Sequence, residues 1–169
     1  REQVSRVSVS VNTAHPAKSE RAGKGEPVVL AGLARALVQH QMLRIDQAVA
    51  IQQKAQAAEH ESFVDELVSS NAIPAAKLAR FLSETFGMPL LDVHALDLSI
   101  LPTDMIDRKL LAETRIVPLV KRGNRLSVLL SDPTDHAAID RVKFQQQANV
   151  DAIVVEHDKL RKLLDRLGQ

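Results

Sequence analysis

Two stretches of the chain repeat one another's apolar pattern at an interval of about 30 residues. Leu30, Leu33, Leu37 and Val38 recur at helical spacing in one segment, and Ala48, Val49, Ile51 and Ala55 in the next. Phe63, Val64, Leu67 and Val68 mark a third helix. Pro74 opens a fourth, which carries Leu78, Phe81 and Leu82 and ends at Gly87. In register, Leu33 falls opposite Phe63, Leu37 opposite Leu67, Val38 opposite Val68, Leu43 opposite Ile73, Ala48 opposite Leu78 and Ile51 opposite Phe81. The pattern predicts two helical hairpins over residues 28–87, packed as a pseudo-symmetric pair.

Pro89 prevents the fourth helix from continuing, so Met88 to Val93 reads as an extended connector. Leu98 to Leu101 and Pro102 lead into one or two short helices over about 103–113, with Met105, Ile106, Leu110 and Leu111 facing inward. Beyond them come two short apolar runs, Ile116 to Lys121 and Arg125 to Leu130, and Gly123-Asn124 between them suits a tight hairpin. Pro118 cannot donate to a ladder, which puts the first strand at an edge or the proline at a non-bonded position. Asp132-Pro133-Thr134-Asp135 ends the second strand and starts a helix over 135–147, where Ala138, Ile139, Val142 and Phe144 form a partial apolar stripe. Val150 to Val155 reads as a third strand. Asp158 to Leu167 is a closing helix with Leu160, Leu163, Leu164 and Leu167 on one face. The predicted class is α+β: a four-helix subdomain (28–87), a connector with short helices (88–114) and a small ββαβα subdomain (115–169). Residues 1–27, rich in Ser, Lys, Glu, Gly and Pro, read as a flexible lead or vector-derived tail, and Arg1 in place of Met reads as a trimmed start.

Composition narrows the chemistry. The 22 basic and 21 acidic residues nearly cancel, which argues against a nucleic-acid binder working through a basic face. The aromatic residues are four Phe, so there is no platform for stacking bases. Cysteine is absent, which excludes disulfides and thiolate metal sites and is compatible with a reducing cytoplasm. No apolar run approaches the roughly 20 residues of a membrane span, so no membrane insertion is expected. The six histidines, at 15, 40, 60, 94, 136 and 157, form no i,i+4 pair and read as solvated or capping groups, not metal ligands. Asp132, Asp135 and Asp140 suit a strand exit, a helix cap and an exposed face better than acid–base work. Lys121, Arg122 and Arg125 rim the hairpin, solvated or against an acidic partner. No nucleophile, base and orienting group can be assembled, so no catalytic residue is expected. The first hairpin holds more apolar residues than a small four-helix core needs. Leu30, Leu33, Leu37 and Met42 are therefore the candidate partner-binding surface.

Phe86-Gly87-Met88-Pro89-Leu90-Leu91-Asp92, then Ile116 to Leu126 with its Gly123-Asn124 turn, then Ser131-Asp132-Pro133-Thr134, Ile139-Asp140 and Lys143-Phe144, occur in an order that closely resembles one family. It is the MshEN-type N-terminal domain of the ATPases of type IV pilus extension (PilB) and type II secretion. The resemblance covers about residues 30–167 and is nearer the pilus motors. It implies a domain placed ahead of an ATP-hydrolysing hexameric motor, to which ATP and Mg²⁺ belong. No Gly-x-x-x-x-Gly-Lys-Ser/Thr loop occurs in the sequence, so this chain has no phosphate cradle and is not itself expected to be an enzyme.

Some members of that family bind cyclic di-GMP through two helical repeats, each opening on Arg-Leu-Gly. The corresponding triplets here are Gly32-Leu33-Ala34 and Ser62-Phe63-Val64, with both arginines gone and with Gln41 and Asn71 where a turn glycine is usual. Cyclic di-GMP is therefore not expected as a ligand, and no cofactor is assigned to this chain. The resemblance implies instead control through a PilZ-type adaptor, and contact with inner-membrane pilus platform or alignment proteins and with the protein's own C-terminal ATPase domain. It implies a role in twitching motility, a cytoplasmic place peripheral to the inner membrane, and a monomeric isolated domain. Two alternatives stand beside it: a direct cyclic di-GMP sensor, and the platform-docking domain of a type II secretion ATPase.

Overall fold

Four helices, α1 (Gly32–Gln39), α2 (Ile45–Ala57), α3 (Phe63–Ser69) and α4 (Ala75–Phe86), carry the repeat, and it extends to the backbone. Gln41 and Asn71 both turn left-handed, at φ +61° and +62°. Behind them Met42 N–H donates to Leu37 O at 2.8 Å and Ala72 N–H to Leu67 O at 3.2 Å. Each hairpin thus closes by the same left-handed stop, and each then buries the next apolar residue, Leu43 or Ile73. Asn tolerates this conformation because its short side chain bonds locally; Gln has no such compensation. Ser62 and Asp65 form a capping box at the start of α3, and α4 ends on Gly87 at φ +66°. The computed structural model describes residues 29–168 except 31, 60, 103, 105 and 106. The lead expected over 1–27 and the inward Met105 and Ile106 lie outside the described residues.

After α5 (Arg108–Thr114) come β1 (Val117–Arg122), β2 (Arg125–Leu130), α6 (His136–Gln146), β3 (Asn149–Val154) and α7 (His157–Leu167). The sheet order is β1-β2-β3, with β1 antiparallel to β2 and β3 parallel to it. Gly123 opens the hairpin turn at φ +62°, and the register slips between Pro118 and Val120, where the proline offers no N–H.

The connector is extended, as its proline requires, and it does more than join: Leu91 N–H donates to Val154 O at 3.0 Å and Val154 N–H to Pro89 O at 2.8 Å, so the segment pairs with the open edge of β3. Two 3-10 turns follow, Val93–Ala95 and Leu98–Ile100. One expectation is corrected. Phe144 does not join the buried stripe of α6 and is 85% exposed. It lies two residues past Val142, about 200° around the helix from the inward face that Ala138 and Val142 share.

β2 sits at the centre of the packing. Leu126, Val128 and Leu130 point to the helical repeats and share a core with Leu37, Leu67, Leu78, Leu82 and Val142. Leu129 points the other way, into a second cluster with Val117, Leu111, Leu160 and Leu163. The two-residue period of one strand therefore serves both layers.

Candidate functional site

Gly32-Leu33-Ala34 forms the first turn of α1 and lines a cleft of about 360 Å³ with Ala55, Gln56 and Phe63 on one side and Asp132, Thr134 and Asp135 on the other. A Cβ on Gly32 would stand 3.0 Å from Thr134 Cβ, so the helix and the strand exit meet where a side chain would otherwise stand. Among its described lining residues the cleft holds three carboxyl groups, Glu61, Asp132 and Asp135, and no Lys, Arg or His. Asp135 caps α6 through Ala138 N–H at 3.1 Å, the role its spacing predicts. Asp132 Oδ1 accepts from Thr134 N–H at 2.9 Å and from Thr134 Oγ1 at 2.6 Å. Burial pushes the Asp132 carboxyl above the usual range, against those two hydrogen bonds.

The second degenerate triplet is absorbed into the fold. Ser62 is the N-cap of α3, Val64 is buried and Phe63 packs half-buried against the core. The candidate partner surface on the first hairpin is corrected as well. Leu33 and Leu37 are 3% and 0% exposed, and Leu30 and Met42 lie partly buried against the same cluster. The apolar surplus is taken up because the core continues from the hairpins into β2 and α6.

The sequence reading missed a buried polar hub. Asp65, on α3 and 2% exposed, accepts Ser62 N–H at 2.8 Å, Ser62 Oγ at 3.1 Å, His157 Nε2 at 2.7 Å and Arg161 Nη1 at 3.2 Å, and it forms an ion pair with Arg115. His157 in turn holds Ser131 Oγ at 2.7 Å through Nδ1. With Asp65 as acceptor, Nε2 carries the proton. Burial alone would raise the Asp65 carboxyl; the hydrogen bonds from His157, Arg115 and Ser62 outweigh it and hold the group well below the ordinary carboxylate range.

Serine, histidine and aspartate in one chain of hydrogen bonds resemble a hydrolytic triad, but the space beside them is only about 40 Å³. No substrate fits there. The hub is a strut that joins α3 to β2 and α7, and His157 is neither a solvated nor a capping histidine. Its only sequence signals were a Ser-x-x-Asp capping pattern at 62–65 and a histidine opening an amphipathic helix. The described residues contain no group of three His, Cys, Asp or Glu placed to hold a metal. None of their helices is long and apolar enough to cross a membrane.

Residues 86–169, which take in the β3-paired connector, the sheet, α6 and α7, match the MshEN domain model. Over those residues the chain belongs to the MshEN domain family. Curated relatives of this MshEN chain include the Type IV pilus assembly ATPase PilB of Pseudomonas aeruginosa, 40% identical over 143 residues, which are 84% of this chain and 25% of that protein. PilB of Acinetobacter baylyi is 36% identical over 138 residues, 82% of this chain and 24% of that protein. The chain thus spans about a quarter of the length of the curated relatives it matches. Among solved structures, the N-terminal domain of XpsE superposes with a TM-score of 0.57 at 20% identity, over 78% of this chain and 90% of that one. MshE, solved with cdg, gives 0.58 at 19% identity, over 80% of this chain and 98% of that one. At those identities the likeness is one of fold. The chain matches about a quarter of pilus assembly ATPases named PilB and shares its fold with the N-terminal domain of XpsE, and no Gly-x-x-x-x-Gly-Lys-Ser/Thr loop occurs in its sequence.

Proposed function

We propose that this chain is the regulatory and docking domain of a type IV pilus assembly ATPase, and that it binds a PilZ-type regulator or inner-membrane pilus proteins. The relatives named PilB favour the pilus over the secretion system. The acidic cleft at the degenerate repeat carries the choice of a protein over a nucleotide. A cyclic dinucleotide brings two phosphodiester charges, and among its described lining residues the cleft offers the carboxyl groups of Glu61, Asp132 and Asp135 and no Lys, Arg or His. At about 4 Å each like-charge contact costs on the order of 1 kcal/mol in water and several times that near a protein surface. A side chain at position 32 that could supply a counter-charge would also crowd Thr134, with its Cβ 3.0 Å from Thr134 Cβ.

The rival reading, direct binding of cyclic di-GMP, draws on the fold shared with MshE solved with cdg. Calorimetry separates the two: the chain is titrated with the PilZ-family protein of the same organism, with and without cyclic di-GMP, and with the nucleotide alone. Binding of the protein that ignores the nucleotide supports docking. Heat from the nucleotide alone, with none from the protein, overturns it.

A further inference from the structure

A groove of about 590 Å³ runs between the segment 93–99 and α7, on the opposite face of the sheet from the helical repeats. Its floor is apolar. Leu163 is buried, and Val93, Leu96 and Leu98 are partly buried against the second core. One rim is basic: Lys159, Lys162 and Arg166 follow one another along α7 at helical spacing, and the connector faces them with His94 and with Asp97, whose carboxylate accepts from Ser99 N–H and Ser99 Oγ. Lys159 is already satisfied, by Glu156 Oε2 at 3.2 Å and Asp92 Oδ1 at 3.4 Å. Lys162 and Arg166 are exposed and make no ion pair among the described residues. Two like charges at i,i+4 weaken a helix slightly, so folding alone gives no reason for the pair.

The chemistry of the groove selects among anions. A bound phosphate would want several free backbone N–H groups together, but in each 3-10 turn the carboxylate at its start already holds one: His94 N–H donates to Asp92 Oδ1 and Ser99 N–H to Asp97 Oδ1, each at 3.0 Å. A nucleotide base would want an aromatic face, and the lining has no Phe. A lipid surface meets a convex basic patch better than a recess between a helix and a connector. What fits is a peptide. From Lys159 to Arg166 the helix rises about 10 Å, the length of two turns of helix or three extended residues. The two unpaired cations stand about 6 Å apart on neighbouring turns.

We propose that this groove docks an acidic amphipathic segment of a partner protein, with two carboxylates spaced to meet Lys162 and Arg166 and an apolar side chain seated on Val93, Leu96, Leu98 and Leu163. The proposal rests on the reading of this chain as a docking domain and adds the surface and the chemistry of its partner. The apolar anchor supplies affinity in a desolvated floor, and the charges set orientation and on-rate.

The test uses the whole 169-residue chain, ¹⁵N-labelled, and a synthetic amphipathic peptide of Glu and Leu beside its Gln-for-Glu counterpart. Shifts confined to 93–99 and α7, with binding weakened at least tenfold in Lys162→Glu/Arg166→Glu, are the expected result. Lys77→Glu/Arg80→Glu on exposed positions of α4 makes the same change in net charge and should leave affinity within about twofold. Equal loss in both double variants, equal binding of the Gln peptide, shifts centred elsewhere, or no binding at millimolar peptide each overturns the groove. The PilZ-family titration with unaltered chain reads the docking function separately. A regulator that binds while the peptide does not sinks the groove alone, and the reverse sinks the choice of regulator.

Discussion

Replacing Asp65 is the perturbation whose outcome follows most directly from the packing. The carboxylate is 2% exposed and is shared by three elements. Asp65→Asn keeps its shape but removes the charge that faces Arg115, Arg161 and the His157 N–H, and turns an amide NH₂ towards groups that are themselves donors. Arg161 is half in water and loses little. Arg115, at 28% side-chain exposure, and His157, at 4%, cannot recover full hydration. Breaking a buried charged contact of this kind costs about 3–5 kcal/mol. Given the solvated share of the hub, about 3 kcal/mol is expected, a large part of the roughly 5–15 kcal/mol of a whole domain.

The pH dependence has a definite sign. The folded Asp65 carboxyl lies below its unfolded value, so its stabilisation is complete above the unfolded value of about 4 and is lost as pH falls below it. Asp65→Asn cannot titrate there, and the gap between the two proteins should narrow steadily from about pH 5 to pH 2.5. The chain has no Trp or Tyr, so urea unfolding is best followed by far-UV circular dichroism. A gap under about 1 kcal/mol at neutral pH, or one that stays constant into acid, would refute the hub.

Three further outcomes are expected. Asp132→Asn keeps the acceptor for Thr134 and removes a carboxyl whose folded value is raised, so urea melts should show stability unchanged or higher by about 1 kcal/mol at neutral pH. That advantage should vanish below the unfolded carboxyl value, because a raised group destabilises only as pH climbs past it. Gln41→Gly relieves a left-handed residue at φ +61° and should raise stability by about 0.5–1 kcal/mol, with a smaller gain for Asn71→Gly, both read from thermal midpoints. Phe144→Ser on the 85% exposed position should stay within about 0.5 kcal/mol of the parent, whereas Val142→Ala one half-turn away should cost about 2 kcal/mol; matched urea curves decide.

The repeat was legible because its core positions recur in register and the turn residues Gln41 and Asn71 stand at matching places. The hairpin was legible from Gly123-Asn124, and the helix start from Asp135. What escaped was long-range or too short to carry a period. The pairing of Pro89 and Leu91 with Val154 involves a single bridge and leaves no alternation. Asp65 meets Arg115, His157 and Arg161 across 50, 92 and 96 residues, and within its own helix it looks like any polar position near a cap. Phe144 counts towards the partial stripe of its helix by residue type alone; its spacing puts it about 200° from Val142, on the outward side. The surplus of leucines in the first hairpin was counted against a core of four helices, while the actual core has a strand and a fifth helix in it.

The shared core has a mechanical meaning. The paired hairpins and the sheet share one apolar core: β2 is common to both, Asp65 is bolted to the start of α7, and the stretch after α4 is stitched to β3. A displacement of α1 should therefore reach α7 with little absorbed on the way. Hydrogen exchange should accordingly find its slowest amides in both halves at once, opening together, as in a stiff rod and not in two beads on a string.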